Sequence, residues 1–264
     1  MKIPLYQVDA FSRTAFGGNP AAVCPLESWI YDATMQKIAA ENALSETAFL
    51  VPRGDEWEIR WFTPVQEVEL CGHATLGSGY VVLTHLAPKR EVVRFASKSG
   101  ELSVARDGDR LSMALPRWEP VPVAAAQTQL VRALGGKPPR EILAHGGKYM
   151  CVYDSAEDVA AIAPDFALMR TLDRYGVVVT APGAERECDF VSRFFAPAAG
   201  VPEDPVTGSA HCLLVPYWAR ALGRSSLYGK QISPRGGELW CTLAADHVTL
   251  AGYVAPYLVG EIDV

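Results

Sequence analysis

A chain of 264 residues, with 49% hydrophobic and 20% charged residues, is long enough for one large or two medium globular domains and has no disordered composition. The net charge of −6, without any run of Lys or Arg, argues against a nucleic-acid partner held through phosphate contacts. No apolar stretch reaches the ~18 residues of a membrane span, so we expect no membrane partner.

The N-terminal residues and the cysteines indicate the compartment. The first eleven residues alternate like a strand and lack the apolar region of a secretion signal. The six cysteines show neither C-x-x-C pairs nor Cys/His spacing typical of zinc. We therefore expect a cytoplasmic protein with reduced thiols, no metal and no cofactor.

Strands dominate the first half of the chain. Strict alternation of apolar and charged residues over 56–61 predicts a strand with one wet and one buried face. Segments 92–106 and 111–115 are also predicted strands. The turn between them contains Gly108, which accepts a positive φ, so a hairpin is expected there.

Two predicted helices interrupt these strands. Asp32 is the expected N-cap of the first, and Met35 and Ile38 mark its buried face. The second begins near Gly72 and runs to about Leu86. Its own small and apolar residues occupy all of its faces, so we expect this helix to be largely buried.

The second half of the chain repeats this plan. Segment 118–123 is a predicted linker, because its prolines block both helix and central strand. The later predicted elements are helices at 127–134 and 156–172, strands at 149–153, 176–180 and 189–195, a helix after Gly208, and strands at 239–243, 247–250 and 254–262. We therefore predict an α+β fold of two similar domains, 1–116 and 117–264, in which the final strands can cross back to the first.

Two segments, 71–82 and 206–217, look like copies of one another. Each places a glycine, Gly72 or Gly208, at the start of an apolar run of helical length, and an acidic loop precedes each. Free N–H groups and the helix dipole make a helix start an anion site. Two such starts that face one another across a cleft would hold one small acid, so the sequence predicts a carboxylate-bearing substrate there.

Glu46 and His73 are the candidate proton-transfer residues. Glu46 lies between a helical segment and an apolar strand, where a partly desolvated carboxylate suits a group that takes and returns a proton. The alternative is a surface glutamate at a helix end. His73 titrates near neutrality and follows Gly72, although a partly buried histidine with satisfied hydrogen bonds has the same sequence signature.

Asp204, Thr207 and Ser209 precede the second helix. Helix capping accounts for one such side chain but not for all three. His211, one turn into that helix, is predicted to be a core or supporting residue. The turn at 16–20 contains the Gly, Asn and Pro residues that tight turns prefer, and turn chemistry alone explains it.

Taken together and in chain order, these motifs resemble the PhzF-like family of phenazine-biosynthesis isomerases, which shares the fold of diaminopimelate epimerase. The matching pieces are VDAF (8–11), GNPAAV (18–23), LSETAF (44–49), FTP (62–64), ELCGHAT (69–75), RFFAP (193–197), EDPVTGSAH (203–211) and RGG (235–237). They span nearly the whole chain, and the ordered set is highly specific although no single piece is.

The resemblance implies two domains related by a pseudo-twofold axis, each a strongly curved sheet or half-barrel around a central helix. It also implies a cofactor-independent isomerase and a homodimer. The catalytic residues it implies are Glu46, His73 and Asp204. The implied substrate-binding residues are Asn19, Gly72, Gly208 and Ser209.

One departure from the wider fold family bears on the chemistry. Amino-acid epimerases and racemases of this fold use two cysteines, one in each domain. Cys71 occupies the first of these positions, whereas Pro205 stands at the second and has no proton to give. Cys212 lies too far along its helix to substitute. A proton shift by one carboxylate therefore fits better than a two-thiol racemase.

The functional prediction is an isomerase that moves a proton within a small carboxylate-bearing substrate. Glu46 would remove the proton from an activated carbon and return it elsewhere on the same face. The N–H groups of Gly72, His73, Gly208 and Ser209 would bind the carboxylate. Two alternatives stay open: an epimerase or racemase of an amino or imino acid, and a binding protein that kept the cleft and lost the chemistry.

Overall fold

A computed structural model describes residues 1–123, 127–184 and 187–264. The first-half elements are β1 (Lys2–Ala10), β2 (Asn19–Pro25), α1 (Asp32–Asn42), β3 (Glu46–Arg53), β4 (Glu56–Phe62), β5 (Glu67–Val68), α2 (Gly72–Val81), β6 (Val92–Ser97), β7 (Gly100–Asp107) and β8 (Arg110–Pro116). A π-helical turn, Val82–Leu86, follows α2.

The second-half elements are β9 (Val121–Pro122), α3 (Thr128–Ala133), β10 (Glu141–His145), β11 (Lys148–Val152), α4 (Ala156–Ala160), α5 (Phe166–Met169), β12 (Gly176–Pro182), β13 (Phe190–Ala196), β14 (Val201–Asp204), α6 (Gly208–Leu222), β15 (Ser226–Gln231), β16 (Gly237–Leu243), β17 (His247–Gly252) and β18 (Val254–Asp263). A 3-10 turn, Pro197–Ala199, precedes β14. No helix of the described residues is long and apolar enough to span a membrane.

The chain divides into two compact units. Unit 1 comprises Met1–Leu115 and Thr249–Val264, and unit 2 comprises Pro116–Val248. The C-terminal strand β18 therefore belongs to unit 1, where it pairs antiparallel with β1. The sequence-based division had assigned 117–264 to the second domain, with the final strands free to return.

Unit 1 surrounds one buried helix. Strand β1 pairs antiparallel with β2, β2 runs parallel to β3, and β4 pairs antiparallel with β3 and parallel to β6. Helix α2 contacts β1, β2, β3 and β7. The other face of β2 and β3 packs on α1, whose buried residues Met35 and Ile38 join Phe49 and Phe62 in one apolar cluster.

The small residues of α2 are there because strands approach it closely. A Cβ atom added at Gly79 would lie 2.4 Å from Cγ1 of Val104, and one at Gly77 would lie 2.8 Å from Cγ2 of Val8. Three glycines, an alanine and a serine among its ten residues let the helix pack against strands on several sides. The predicted burial of this helix is confirmed.

Unit 2 repeats the strand order of unit 1. Strand β11 runs antiparallel to β10 and parallel to β12, and β13 pairs antiparallel with β12 and parallel to β15. The same sequence of pairings links β1, β2, β3, β4 and β6. In both units the buried helix follows a short strand that pairs with the fourth strand of the repeat, β5 or β14. The internal repeat inferred from the two helix starts thus extends to the whole strand topology.

Several predicted elements differ from the structure. The N-cap of α1 is Tyr31, and Asp32 is the first helical residue. The helix predicted over 156–172 is two short helices, because Pro164 interrupts it and Asp165 caps the second through the N–H of Leu168. The sequence analysis missed strands β2, β5, β10, β14 and β15, and the segment predicted as a linker, 118–123, contains the two-residue strand β9. The hairpin at 106–109 is confirmed, with Gly108 at φ +61°.

Candidate active site

Three elements of unit 1 bring together the predicted residues Asn19, Glu46 and His73. Asn19 begins β2 and Glu46 begins β3. The parallel register places Ala21 opposite Glu46, and Asn19 lies two residues before Ala21, so all three share one face of the sheet. This face meets α2, since a Cβ atom added at Gly77 would lie 3.9 Å from the Cβ atom of Ala21.

The resulting contacts form a chain through the His73 ring. Nδ2 of Asn19 lies 3.1 Å from Nδ1 of His73, and Oε2 of Glu46 lies 3.2 Å from Nε2 on the other side of the ring. The Cys71 sulfur lies 3.5 Å from Nδ1. The side chains of His73 and Glu46 are 5% and 16% exposed. Glu46 is therefore the member of this chain with most access to solvent.

Two groups beside Glu46 have displaced pKa values. Burial, with a contribution from the Glu46 carboxylate, raises the pKa of the Cys71 thiol to about 11, so Cys71 is a neutral thiol at pH 7. Burial lowers the pKa of His73, whereas Cys71 and Glu46 raise it, and the pKa of the imidazole lies well above its ordinary value. Because a neutral thiol exerts little charge effect, we attribute this rise to the carboxylate. His73 therefore retains a proton beside Glu46.

Glu46, Cys71 and His73 are also the described residues whose donor atoms could hold a metal ion, since these atoms lie within 4.8 Å of one another. Glu46 and Cys71 contact opposite nitrogens of the imidazole, however. A metal ion binds one ring nitrogen at a time. To be held by His73, Glu46 and Cys71 together, it would require the ring or one of the other two side chains to move. The arrangement is that of an imidazole held between an amide and a carboxylate, which suits proton transfer.

Neither of the two repeated helix starts is closed by a side chain. The N-cap residues are Cys71 for α2 and Thr207 for α6, and neither makes a side-chain cap hydrogen bond. Capping therefore does not account for the polar residues before α6. The first amides of each helix keep the partial positive charge that favours an anion.

The polar residues before α6 form a network of their own in unit 2. The Thr207 hydroxyl donates to Oδ2 of Asp204. Nε2 of Gln231 donates to the Asp204 carbonyl at 2.7 Å, and Oε1 of Gln231 accepts from the Thr207 amide at 2.9 Å. The Ser233 hydroxyl donates to the Pro205 carbonyl at 2.8 Å. Gln231 and Ser233 thus fix the loop that carries Asp204 into α6.

His211 supports this loop from inside the helix. Its Nδ1 lies 2.8 Å from the Thr207 carbonyl, so Nδ1 carries the proton and donates. The residue is fully buried, and burial lowers the pKa of His211 to about 4. His211 is therefore neutral at pH 7, as expected of a core residue.

A repeated ion pair fixes the correspondence between the two units. Arg60 binds Glu67 through two hydrogen bonds of 2.8 Å, and Arg193 binds Glu203 through two of 2.7 and 3.0 Å. Phe62 pairs with Glu67 across the strands in unit 1, and Phe195 pairs with Glu203 in unit 2. The two glutamates are therefore equivalent positions.

This register corrects the sequence-based partner of Cys71. Each buried helix begins five residues after the repeated glutamate, at Gly72 and at Gly208. The residue before the helix is Cys71 in unit 1 and Thr207 in unit 2, so Thr207 rather than Pro205 is the equivalent of Cys71. Thr207 carries a hydroxyl instead of a thiol, so unit 2 has no cysteine at this position.

The seven predicted site residues fall into two groups. Unit 1 contains Asn19, Glu46, Gly72 and His73, and three of them form the contact chain above. Unit 2 contains Asp204, Gly208 and Ser209. The sequence analysis missed Gln231, because a lone glutamine at a strand end carries no spacing signal. The contact between the Cys71 sulfur and His73 was not predicted, because the sequence showed only that Cys71 precedes Gly72 in the motif.

Comparison with known proteins gives a match over most of the chain. The family model described as phenazine biosynthesis-like protein matches residues 8–254. The chain belongs to this family. It is 48% identical over 262 residues to an uncharacterized isomerase of Pseudomonas aeruginosa, covering 99% of each chain.

Solved structures agree with this assignment. A PhzF-family phenazine biosynthesis protein from Enterococcus faecalis superposes with a TM-score of 0.95 and 42% identity, covering 100% of both chains. A hydroxyproline epimerase from Agrobacterium vitis shares the fold at 12% identity, with a TM-score of 0.62 over 99% of this chain and 92% of that one. The predicted α+β, diaminopimelate epimerase-like fold is confirmed, and the relatives named isomerases support the isomerase class.

Proposed function

We propose that this family member is a cofactor-independent isomerase that moves a proton within a small carboxylate-bearing substrate, with Glu46 as the acid and base. The observation that carries the proposal is the contact of 3.2 Å between the Glu46 carboxylate and Nε2 of buried His73. A carboxylate with some solvent access, held by an imidazole that keeps a proton, suits a group that takes a proton and returns it.

The proposed reaction conserves atoms and electrons. A C–H bond of an activated carbon breaks, its proton passes to a Glu46 oxygen, and the electron pair enters the conjugated system of the substrate. The Glu46 carboxylic acid, which is partly exposed and can exchange its proton with solvent, then delivers a proton to another carbon on the same face, where a new C–H bond forms and the carboxylate is restored. His73 stabilises the carboxylate form of Glu46 through its Nε2–H group. Because only a proton and an electron pair within the substrate move, the reaction needs no oxidant or reductant.

The amides at the start of α2 supply the expected anion-binding groups in unit 1. Gly72 and His73 present N–H groups at the positive end of a buried helix dipole that no side chain caps. Asp204, Gly208 and Ser209 remain predicted contributors from unit 2. Developing negative charge on a substrate carboxylate is stabilised most by such fixed donors.

The proposal separates this protein from a two-thiol racemase. Cys71 is a neutral thiol, and its repeat equivalent Thr207 donates its hydroxyl to Asp204. An epimerase or racemase that uses Glu46 as one base remains the second candidate, because a protein of the same fold is named a hydroxyproline epimerase.

Solvent deuterium exchange tests the proposal. The purified protein is incubated in D₂O with a panel of cyclic amino acids, including trans-4-hydroxy-L-proline, and of dihydroaromatic carboxylic acids. An isomerase incorporates deuterium at a new carbon and shifts a double bond, whereas an epimerase incorporates it at the α-carbon and inverts the configuration. Binding of a panel member without any exchange would contradict the enzyme proposal.

Dialysis against a chelator should leave the exchange rate unchanged, and stoichiometric metal, flavin or pyridoxal in the protein would contradict cofactor independence.

We also propose that β18 contributes to a homodimer interface. Every residue of this strand from 256 to 261 is exposed, including Tyr257, Leu258 and Val259 at 50%, 43% and 64%. Phe16, 73% exposed, packs edge-on against Tyr257 with ring centroids 5.7 Å apart. An exposed apolar strand of this kind is normally covered by a partner, and a second copy is the partner that the family resemblance implies.

The molar mass of the protein in solution tests the proposed homodimer. Light scattering on the eluting protein should give twice the chain mass of 28.6 kDa. The variant Val259→Lys should shift the protein to monomer without loss of helical circular dichroism, while Lys37→Glu, at an exposed position of α1, serves as a charge-changing control. A dimer that is unaffected by Val259→Lys would place the interface elsewhere.

A further inference from the structure

Asn19 was predicted to bind substrate, but it is completely buried. Its exposed fraction is 0%, and its amide nitrogen lies 3.1 Å from Nδ1 of His73. Glu46 contacts the opposite nitrogen of the same ring. Asn19 therefore lies on the side of His73 away from the carboxylate.

The turn before Asn19 is built to deliver this side chain. Gly18 has φ +64°, and a Cβ atom there would lie 2.2 Å from the Ala10 carbonyl oxygen, so only glycine fits. Strand β2 begins at the next residue. The Gly-Asn sequence, which turn chemistry alone could explain, thus fixes a buried amide against the His73 ring.

Among the described residues, Asn19 is the strong hydrogen-bonding partner on the Nδ1 side of His73. The Cys71 sulfur, at 3.5 Å, is a weak one. In metal sites, a group that holds the second nitrogen of a histidine fixes both the tautomer and the orientation of the ring. The same physical argument applies to a ring that must present Nε2 to a carboxylate.

We propose that Asn19 is a positioning residue, whose amide holds Nδ1 of His73 so that Nε2 faces Glu46 in both protonation states of the ring. This rests on the proposed role of the Glu46–His73 pair. When the ring is neutral, the NH₂ group of Asn19 donates to an unprotonated Nδ1. When the ring carries both protons, the form that its raised pKa favours at pH 7, exchange of the two ends of the amide presents the carbonyl oxygen to Nδ1–H.

This dual capacity explains why an amide occupies the position. A carboxylate at residue 19 can only accept and would hold the proton on Nδ1, and an apolar side chain would leave Nδ1 without its partner. The other described groups beside the ring are Glu46, which contacts Nε2, and the neutral thiol of Cys71, which donates and accepts only weakly at Nδ1.

Selective ¹⁵N labelling of the five histidines tests the inference without any substrate. The His73 signals are assigned by their loss in His73→Gln. In the unsubstituted protein above the titration of His73, Nε2 should show the protonated-type shift and Nδ1 the unprotonated-type shift. Asn19→Asp should move the proton to Nδ1. Asn42→Asp, the change at the only other asparagine, whose amide binds Thr47 instead, should leave the His73 signals unchanged.

Kinetics then distinguish positioning from substrate binding. A residue that acts through His73 should lower kcat by ~10–100-fold in Asn19→Asp with KM nearly unchanged, as supporting hydrogen bonds of this kind typically do. A rise in KM at unchanged kcat, with His73 signals that do not move, would overturn the inference in favour of direct substrate contact. If no panel compound reacts, the ¹⁵N shifts still test the role of Asn19. Failure of the Asn19 inference can therefore be distinguished from failure of the proposed isomerase activity. If Asn19→Asp does not fold, Asn19→Leu replaces it: an apolar side chain of similar size removes the partner of Nδ1, so kcat should fall by the same order while KM stays nearly unchanged.

Discussion

Replacement of Glu46 is the most direct perturbation of the proposed chemistry. Glu46→Gln keeps the size of the side chain and an oxygen that can accept from Nε2–H of His73, which now lies 3.2 Å away. The group that takes the proton is lost. A positioned acid or base contributes ~10²–10⁴-fold to the rate, which corresponds to ~3–5 kcal/mol of activation free energy.

A second variant tests position rather than chemistry. Glu46→Asp keeps the carboxylate but withdraws it by about 1.5 Å, the length of one C–C bond. Misplacement of a reacting group by ~1 Å can cost ~10²-fold, so we expect a loss of that order. Glu41→Gln, on the exposed side of α1, is the matched control and should retain full activity.

The assay is the rate of deuterium incorporation into the panel compound that the unsubstituted protein exchanges, combined with urea denaturation. We expect Glu46→Gln to lose no more than ~2 kcal/mol of unfolding free energy, the difference between a charge-assisted and a neutral hydrogen bond. Because Glu46 raises the folded-state pKa of His73, the pair stabilises the fold below the unfolded pKa of ~6.5, and this contribution disappears as pH rises through the folded value. The stability difference should therefore be larger at pH 6 than at pH 10. A folded Glu46→Gln protein with near-normal exchange would refute the assignment of Glu46 as acid and base.

Three further predictions concern residues around the site and in the core. Cys71→Ser should retain substantial exchange activity, because the thiol is neutral at pH 7; complete loss with an intact fold would revive the racemase hypothesis. The folded pKa of His211 is about 4, below the unfolded value, so its contribution to stability is intact above pH ~6.5 and is lost as pH falls towards 4. At pH 5, His211→Asn should remove an acid sensitivity of ~2 kcal/mol that His247→Asn, at an exposed histidine, leaves in place; equal acid sensitivity of both variants would contradict this. Gly79→Ala should lower the unfolding free energy by ~1–3 kcal/mol through overpacking against Val104, and Val104→Ala in the same chain should recover part of the loss; a neutral Gly79→Ala would show that the strand moves freely.

Local sequence signals were sufficient where one segment determines its own conformation. Alternation over 56–61 predicted β4, and Gly108 predicted the hairpin between β7 and β8. The small-residue composition of α2 predicted its burial, because glycines such as Gly77 and Gly79 let strands approach the helix closely. The repeated helix starts at Gly72 and Gly208 likewise predicted a duplicated topology.

Boundaries and partners that depend on distant residues were not available from such signals. The break between α4 and α5 depends on Pro164, which the apolar pattern of 156–172 obscured. The equivalence of Cys71 and Thr207 became clear only from the cross-strand register of the repeated Arg–Glu pairs. A one-residue or two-residue offset between repeats leaves no trace in composition.

The sequence by itself determined the family motifs, the fold class and Glu46 and His73 as the candidate proton-transfer residues, because motif order and local periodicity are properties of the chain alone. Only the tertiary structure decided that Asn19 touches His73 rather than solvent, since this contact joins residues 54 positions apart. The parallel register of β2 and β3 and the start of α2 bring those side chains together. Hydrogen bonds between separate elements depend on distance and direction in space, and neither is encoded in the spacing of residues along the chain.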